Sequence, residues 1–172
     1  MLEERGQVRR GYFVDGLGAA QFALPGAVDR LRSVRESASA ERGLQAPWEV
    51  EETTPAIVLA ATDPAQPYGA AMSWPESPGR PSRSAGAMVV LGDGIPLAWI
   101  DRRGHHLVTF PTTATDLRWA DALAALVKDG RMRSLEVRKV DGEAVGSAPE
   151  VVRTALVRSG FVEGYRGLVM RA

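Results

Sequence analysis

Short apolar runs punctuated by Asp-Gly turns dominate this chain, and the punctuation limits what it can fold into. Asp15-Gly16-Leu17-Gly18, Gly92-Asp93-Gly94 and Asp141-Gly142 each follow a run of strand length. Glycine accepts the positive φ that tight hairpin turns demand, so each of these sites can reverse the chain between antiparallel strands. Residues 7–14 (QVRRGYFV) and 19–24 (AAQFAL) read as one such pair, and 86–91 (GAMVVL) and 95–101 (IPLAWID) as another. Arg102-Arg103-Gly104-His105 reads as a successor turn that leads into a strand at 106–110 (HLVTF). Three strands on short turns predict a small antiparallel sheet that curls into a β-barrel-like shape.

Helical segments frame these strands. Pro25 suits the first turn of a helix running to about Glu36, with Val28, Leu31, Val34 and Ala38 at helical spacing. Residues 1–6 (MLEERG) look like the last turn and glycine stop of a helix whose body is missing. A helix end, a hairpin and a helix are what remains of a winged helix without its front, so 1–38 is expected to be a partial winged-helix domain. Residues 39–54 lose apolar periodicity and are read as a linker, leaving 55–172 as a second domain.

That second domain opens with a buried-strand run at 55–61 (PAIVLAA), then two turn- and proline-rich stretches at 62–69 and 73–84 that exclude central strands. Beyond Pro111 the pattern is helix, strand, helix, strand. Thr115 or Asp116 can cap a helix carrying Leu117, Ala120, Leu123, Ala124 and Val127, which Gly130 ends. Residues 134–140 (SLEVRKV) alternate as one half-buried strand, and Ala144-Val145 begins its short partner. Ser147 is expected to cap a last helix over 149–159, with extended chain after it. The fold class read from this order is α+β.

Composition removes several functions. With no cysteine among 172 residues, disulfide frameworks, cysteine zinc sites, iron–sulfur clusters and thiol catalysis are excluded. No apolar run reaches the ~18 residues of a membrane span and no leader pattern opens the chain, so a cytoplasmic, nucleoid-associated location without membrane contact is expected. His105 and His106 are adjacent, and neighbours on a strand point to opposite faces, so no metal site is expected of them. Gly16-Leu17-Gly18 begins a dinucleotide-like fingerprint, but Gln21 stands where its third glycine belongs and a strand follows where a helix is required. Neither G-x-x-x-x-G-K-[ST] nor G-x-S-x-G occurs.

Charge is more informative by segment than in sum. Lysine plus arginine equals aspartate plus glutamate at 21 each, which argues against a bulk nucleic-acid-binding field. Residues 5–35 nevertheless carry a net +4, and residues 46–76 a net −5. Nearly all the basic residues are arginine, whose guanidinium fork suits phosphates and base stacking, although a GC-rich genome would produce the same bias. Arg9, Arg10 and Tyr12 on the first strand, with Arg30 and Arg32 on the following helix, are the candidate nucleic-acid contacts. Tyr12 can stack on a base or pack against the helix after Pro25.

The stretch from Val8 to Ala23 (VRRGYFVDGLGAAQFA), with Leu24-Pro25-Gly26-Ala27-Val28-Asp29-Arg30-Leu31-Arg32, resembles the C-terminal region of the bacterial large helicase-related (Lhr) family. So do residues 59–71 (LAATDPAQPYGAA) with Trp74-Pro75, and Gly160-Phe161 with Arg166-Gly167-Leu168. The resemblance implies a fragment of an ATP-dependent 3′–5′ DNA repair helicase, whose ATPase core would bind ATP and magnesium. No ATPase motif is present here, so the chain is expected to have no helicase activity and no cofactor of its own. It is expected to act as an accessory nucleic-acid-binding or assembly module. Its expected partners are single-stranded or duplex DNA, bound weakly, the upstream winged-helix and helicase domains, and a second copy of itself.

The family resemblance also implies a second reading, a DNA glycosylase-like end domain acting on uracil or damaged bases. The Gln-x-Gln pair of related alkyl-base glycosylases is absent, because Gln7, Gln21, Gln45 and Gln66 are too widely spaced. Base excision would need a carboxylate beside a pocket for the flipped base. Asp63 is the candidate catalytic residue, with Tyr68 and Trp74 as pocket walls; the competing reading is a carboxylate that serves the turn before Pro64.

Overall fold

The computed structural model describes residues 5–14, 17–43 and 54–172. The chain divides into two compact units, residues 1–53 and 54–172. In the first, β1 (Arg9–Gly11) pairs antiparallel with β2 (Gln21–Ala23), and α1 spans Ala27–Gly43. The Asp15-Gly16 step of the expected turn and residues 44–53 of the expected linker lie outside the described residues. The Gln21 side chain closes the hairpin: its Oε1 accepts the amides of Phe13 and Val14 at 2.9 and 2.8 Å, and its Nε2 donates to the Val14 carbonyl at 2.8 Å. Helix α1 outruns the Glu36 end that apolar spacing suggests, since Ser37-Ala38-Ser39-Ala40-Glu41-Arg42 contains no breaker before Gly43. Leu31 and Val34 are 50 and 64 % exposed, so the apolar stripe read along this helix is not buried.

The second unit is built on a six-stranded sheet in the order β3-β4-β5-β6-β8-β9. Strands β3 (Ile57–Ala60), β4 (Met88–Gly92), β5 (Ile95–Ile100) and β6 (His106–Thr109) form an antiparallel meander. Helix α2 (Arg118–Lys128) follows, then β7 (Ser134–Val137), β8 (Lys139–Val140) and β9 (Glu143–Ala144). A short 3-10 turn (Val145–Ser147) leads to α3 (Glu150–Arg158), β10 (Val162–Glu163) and β11 (Leu168–Arg171). Strand β8 runs parallel to β6, while β10, β11 and β7 form a separate antiparallel sheet.

The barrel is not formed. Its closure would require the first and last strands to pair, whereas β3 and β9 are the two edges of an open sheet. The chain leaving β6 instead enters α2, which covers the face a barrel would have enclosed. Trp119, Leu123, Ala124 and Val127 of that helix are fully buried against Val90, Ile100 and Leu107 of the sheet and against Leu156 and Phe161.

The opposite face has its own core of Val89, Leu91, Trp99, Val108 and Phe110. Among the described residues no strand or helix covers it. Residues 61–87 do so, using Tyr68 and Trp74 as packing groups. Two core layers explain why β4 and β5 are apolar on consecutive rather than alternate positions. The register shift between Val90 and Leu91 leaves Leu97 unpaired, so that Leu97 and Ala98 both join the α2 side.

The run at 134–140 is two strands rather than one. Leu135 and Val137 are buried at odd positions, Val140 at an even one, and the phase change falls at Arg138. There the Arg138 and Lys139 amides both donate to the His105 carbonyl, at 2.9 and 3.0 Å, and the chain passes from one sheet to the other. Helix α3 begins after Pro149 with no side-chain cap, so Ser147 does not cap it. Helix α2 begins after Leu117, which makes no cap bond, but Asp116 Oδ1 accepts the Arg118 amide at 3.1 Å, and the same carboxylate accepts from Arg118 Nε at 2.9 Å and Nη2 at 2.6 Å.

Arg118 also reaches Asp93 Oδ2 at 2.7 Å and the Thr54 carbonyl at 2.5 Å, tying the β4–β5 turn and the start of this unit to α2. The guanidinium holds the Asp116 carboxyl below its ordinary 3.8. A carboxylate depressed in the folded state stabilises above its unfolded pKa, and that contribution is lost as pH falls through the folded value. Asp116→Asn is therefore expected to cost about 1 kcal/mol in urea unfolding at neutral pH, with the difference from wild type shrinking as pH falls below the ordinary 3.8 and through the lowered folded value.

Candidate nucleic-acid interface

Strand alternation divides the expected contact residues of the first unit. Arg10 pairs across the hairpin with Phe22, and Tyr12 lies two residues on, so Arg10, Tyr12 and Phe22 share one face. Tyr12 and Phe22 are 78 and 61 % exposed. Arg9 is exposed but belongs to the opposite face, with Gly11 and Phe13. Any Cβ on Gly11 would sit 2.9 Å from the Phe13 ring, so the absence of a side chain there lets Phe13 fold flat against the strand. Tyr12, largely exposed, does not take the packing that sequence reasoning offered it, while Phe13, one residue further on, lies against Gly11.

On α1, Arg30 and Arg32 are two residues apart and cannot face the same way. Arg32 reaches Asp29 at 3.8 Å in an exposed pair. The resulting patch is one guanidinium between two exposed rings on the Arg10 face, with further arginines on other faces. Phe22 is the exposed ring of this face that sequence reasoning missed; the signal was its even-numbered phase opposite Arg10 across the hairpin.

The Asp63 region is differently organised. Asp63 Oδ1 accepts the Ala65 amide at 2.8 Å, two residues on, so the carboxylate serves the turn before Pro64. Arg83 sits over the same turn and donates to the carbonyls of Gln66, Thr62 and Asp63 at 2.6, 3.1 and 3.2 Å. Gln66 is 1 % exposed and donates to the Ala61 and Tyr68 carbonyls while accepting the Tyr68 amide.

Tyr68 and Trp74 stack at 6.0 Å and Trp74 and Phe110 at 6.1 Å, forming one aromatic column on the sheet. Tyr68 Oη donates to the Gly94 carbonyl at 3.0 Å, and burial pushes its pKa up. These rings pack against the second core. Gln66 and Arg83 were not singled out in the sequence, because a glutamine or arginine in a proline-rich loop carries no local mark of burial.

A family model described as the winged-helix domain of large helicase-related protein matches residues 1–43. The chain is 42% identical over 178 aligned residues to the "Lhr helicase/ probable uracil glycosylase" of Mycolicibacterium smegmatis, covering 99% of this chain and 11% of that protein. It is 36% identical over 111 residues to the "Lhr helicase/uracil glycosylase" of Escherichia coli, covering 63% of this chain and 7% of that one. The chain thus spans only a small part of the relatives it matches. Among the described residues no helix is long and apolar enough to cross a membrane. With a winged-helix match over the first unit and close similarity along nearly all of its length, the chain belongs to the large helicase-related protein family.

Proposed function

We propose that this chain is an accessory nucleic-acid-binding and assembly module of an Lhr-type ATP-dependent DNA helicase, without helicase activity of its own. The exposed Arg10, Tyr12 and Phe22 face of the wing hairpin carries this reading. A guanidinium beside two solvent-facing rings can meet a phosphate and stack on a base together. Arg9 and Arg30 add charge from other faces. ATP and magnesium belong to the parent's helicase core in this reading.

The assembly part rests on burial. None of the described side chains of residues 5–14 and 17–36 is buried, and Leu24, Leu31 and Val34 are exposed. A unit of this kind gains little stability from its own apolar contacts, so further chain of the parent is the natural cover for that surface. Self-association is the alternative use of the same surface.

Fluorescence anisotropy with labelled single-stranded and duplex DNA tests the reading. Binding is expected to be weak and to fall steeply between about 50 and 200 mM salt. The double variant Arg9→Glu, Arg10→Glu is expected to weaken it at least about tenfold at the lower salt. Salt-independent binding would remove the nucleic-acid role and leave assembly alone, and a double variant that binds like wild type would take the wing hairpin out of that role.

A second reading, base excision, is favoured by the uracil glycosylase wording in the names of both relatives. In it Asp63 would position water at the sugar carbon. Its Oδ1 already holds the Ala65 amide, so Oδ2 is the oxygen left for that task.

A further inference from the structure

The second unit contains a cavity of about 260 Å³ lined by Arg138, Arg153 and Arg166, with Glu163 on its wall. The three arginines come from separate elements: the corner between β7 and β8, the first turns of α3, and the turn between β10 and β11. What brings the last of them beside the first is Gly167. A Cβ there would overlap the Val137 carbonyl oxygen and lie 2.9 Å from the Arg138 Cα, so only glycine lets this turn rest on the Arg138 corner.

The guanidinium groups are unequally engaged. Arg138 donates to Glu136 through Nε at 2.9 Å and Nη2 at 2.5 Å, which holds the Glu136 carboxyl below its ordinary range and leaves Arg138 Nη1 free of that pair. The side chains of Arg153 and Arg166 make no hydrogen bond or ion pair with another described residue. Arg166 also adds to the field that lowers the Glu136 carboxyl, so the side chains lining this concavity include two arginines outside any direct pair and one held at one end, a donor set that phosphate oxygens accept.

A second observation points the same way. The Gly164 amide donates to the Gly167 carbonyl at 2.7 Å, making Tyr165 and Arg166 the two-residue tip of the hairpin. Tyr165 is 98 % exposed. Its ring buries nothing in this unit, yet it stands next in sequence to a guanidinium that lines the cavity. Arginines that track a backbone beside a ring that accepts any base are the elements of single-strand binding.

We propose that this cavity holds a backbone phosphate of a single-stranded nucleic acid whose adjoining base stacks on Tyr165. The site shares no residue with the wing hairpin and stands or falls apart from it.

The test uses the full chain, labelled oligothymidylate and anisotropy titrations across salt concentrations. Arg166→Glu is expected to weaken binding about tenfold and to lower the salt slope by about one. Tyr165→Ala is expected to weaken it about tenfold with the slope unchanged, and Tyr165→Phe to restore it. A strand carrying 5-iodouracil should crosslink to Tyr165 under near-ultraviolet light.

Wild-type affinity in both Arg166→Glu and Tyr165→Ala, with unchanged circular dichroism, overturns the proposal. If inorganic phosphate displaces the strand but Tyr165→Ala binds it normally, the cavity is a simple anion site and the stacked-base assignment is overturned. The Arg9→Glu, Arg10→Glu chain is titrated alongside. A loss confined to that chain overturns this site and keeps the wing reading; a loss confined to the Arg166 and Tyr165 variants does the reverse.

Discussion

Trp119→Ala is expected to lower the stability of the second unit by about 4 kcal/mol, as large aromatic truncations in packed cores do. Trp119 is the largest fully buried side chain described, and it lies where α2 meets the sheet. Its Nε1 donates to the Thr113 carbonyl at 2.9 Å. Thr113 is itself buried, accepts from the Phe110 amide at 2.7 Å and donates to the Leu97 carbonyl. Alanine would therefore open a cavity and strand a polar group together. Against the ~5–15 kcal/mol that holds a typical domain folded, such a loss is a large fraction. Trp119→Phe separates the two contributions. It keeps most of the volume and removes the donor, so about 1–2 kcal/mol is expected from the unpaired carbonyl alone. Urea unfolding followed by far-ultraviolet circular dichroism reads both. A Trp119→Ala midpoint within error of wild type would contradict the assignment of this ring to the core.

The second large effect is expected at Gly167. Alanine there forces the β10–β11 turn away from the Val137 carbonyl, and neither side of that contact is a flexible side chain that can swing aside. Strand β11 is the middle strand of its sheet, and its pairing with β7 begins at Leu168 opposite Val137, one residue from the clash. A loss of about 3 kcal/mol or more is expected, with the hydrogen exchange of the β11 amides rising first. Gly146→Ala is the control. It lies on the wall of the same cavity, but a Cβ there meets nothing within 4 Å, so the change is expected to be neutral or to stabilise by about 0.5 kcal/mol. If the two variants behaved alike, the close approach at Gly167 would be wrong.

Local turn chemistry was the part of this fold most open to reading from sequence. Asp93 and Gly94 have φ of 50° and 82°, and Asp141 and Gly142 have 53° and 95°. Both pairs thus adopt the doubly left-handed conformation for which Asp-Gly is suited, and both hairpins could be placed without coordinates. Pairing between distant segments carried no such mark. Nothing in 139–140 announces that β8 lies parallel to β6, because that pairing joins Lys139 and Val140 to His106 and Leu107, on the far side of α2 in sequence. The barrel expectation failed for the same reason: turn signals count strands but do not say whether the first meets the last.

The candidate interface was legible to a similar depth. Arg10 and Tyr12 could be placed on one face by alternation, but Phe22 enters that face only through the cross-strand register. The cluster of Arg118 with Asp93 and Asp116 was invisible, since one of its acids lies 25 residues away. The Arg138, Arg153 and Arg166 cavity was hidden likewise, its residues being scattered over three elements.

The cover that residues 61–87 form over the second core has a consequence for how the molecule opens. Five of its residues are prolines, which donate no amide, and its attachment to the sheet relies on side chains: Tyr68 Oη donates to the Gly94 carbonyl, Trp99 Nε1 to the Ser82 carbonyl, and the Trp74 ring stacks on Phe110, while Gln66 and Arg83 bond only within the cover. The sheet beneath is held by continuous backbone ladders. Lifting the cover breaks few backbone hydrogen bonds, so its opening free energy falls below that of global unfolding. The second core would then meet solvent while the α2 core stays intact, which makes the cover the place where a protease or a chaperone first gains access to an otherwise native unit.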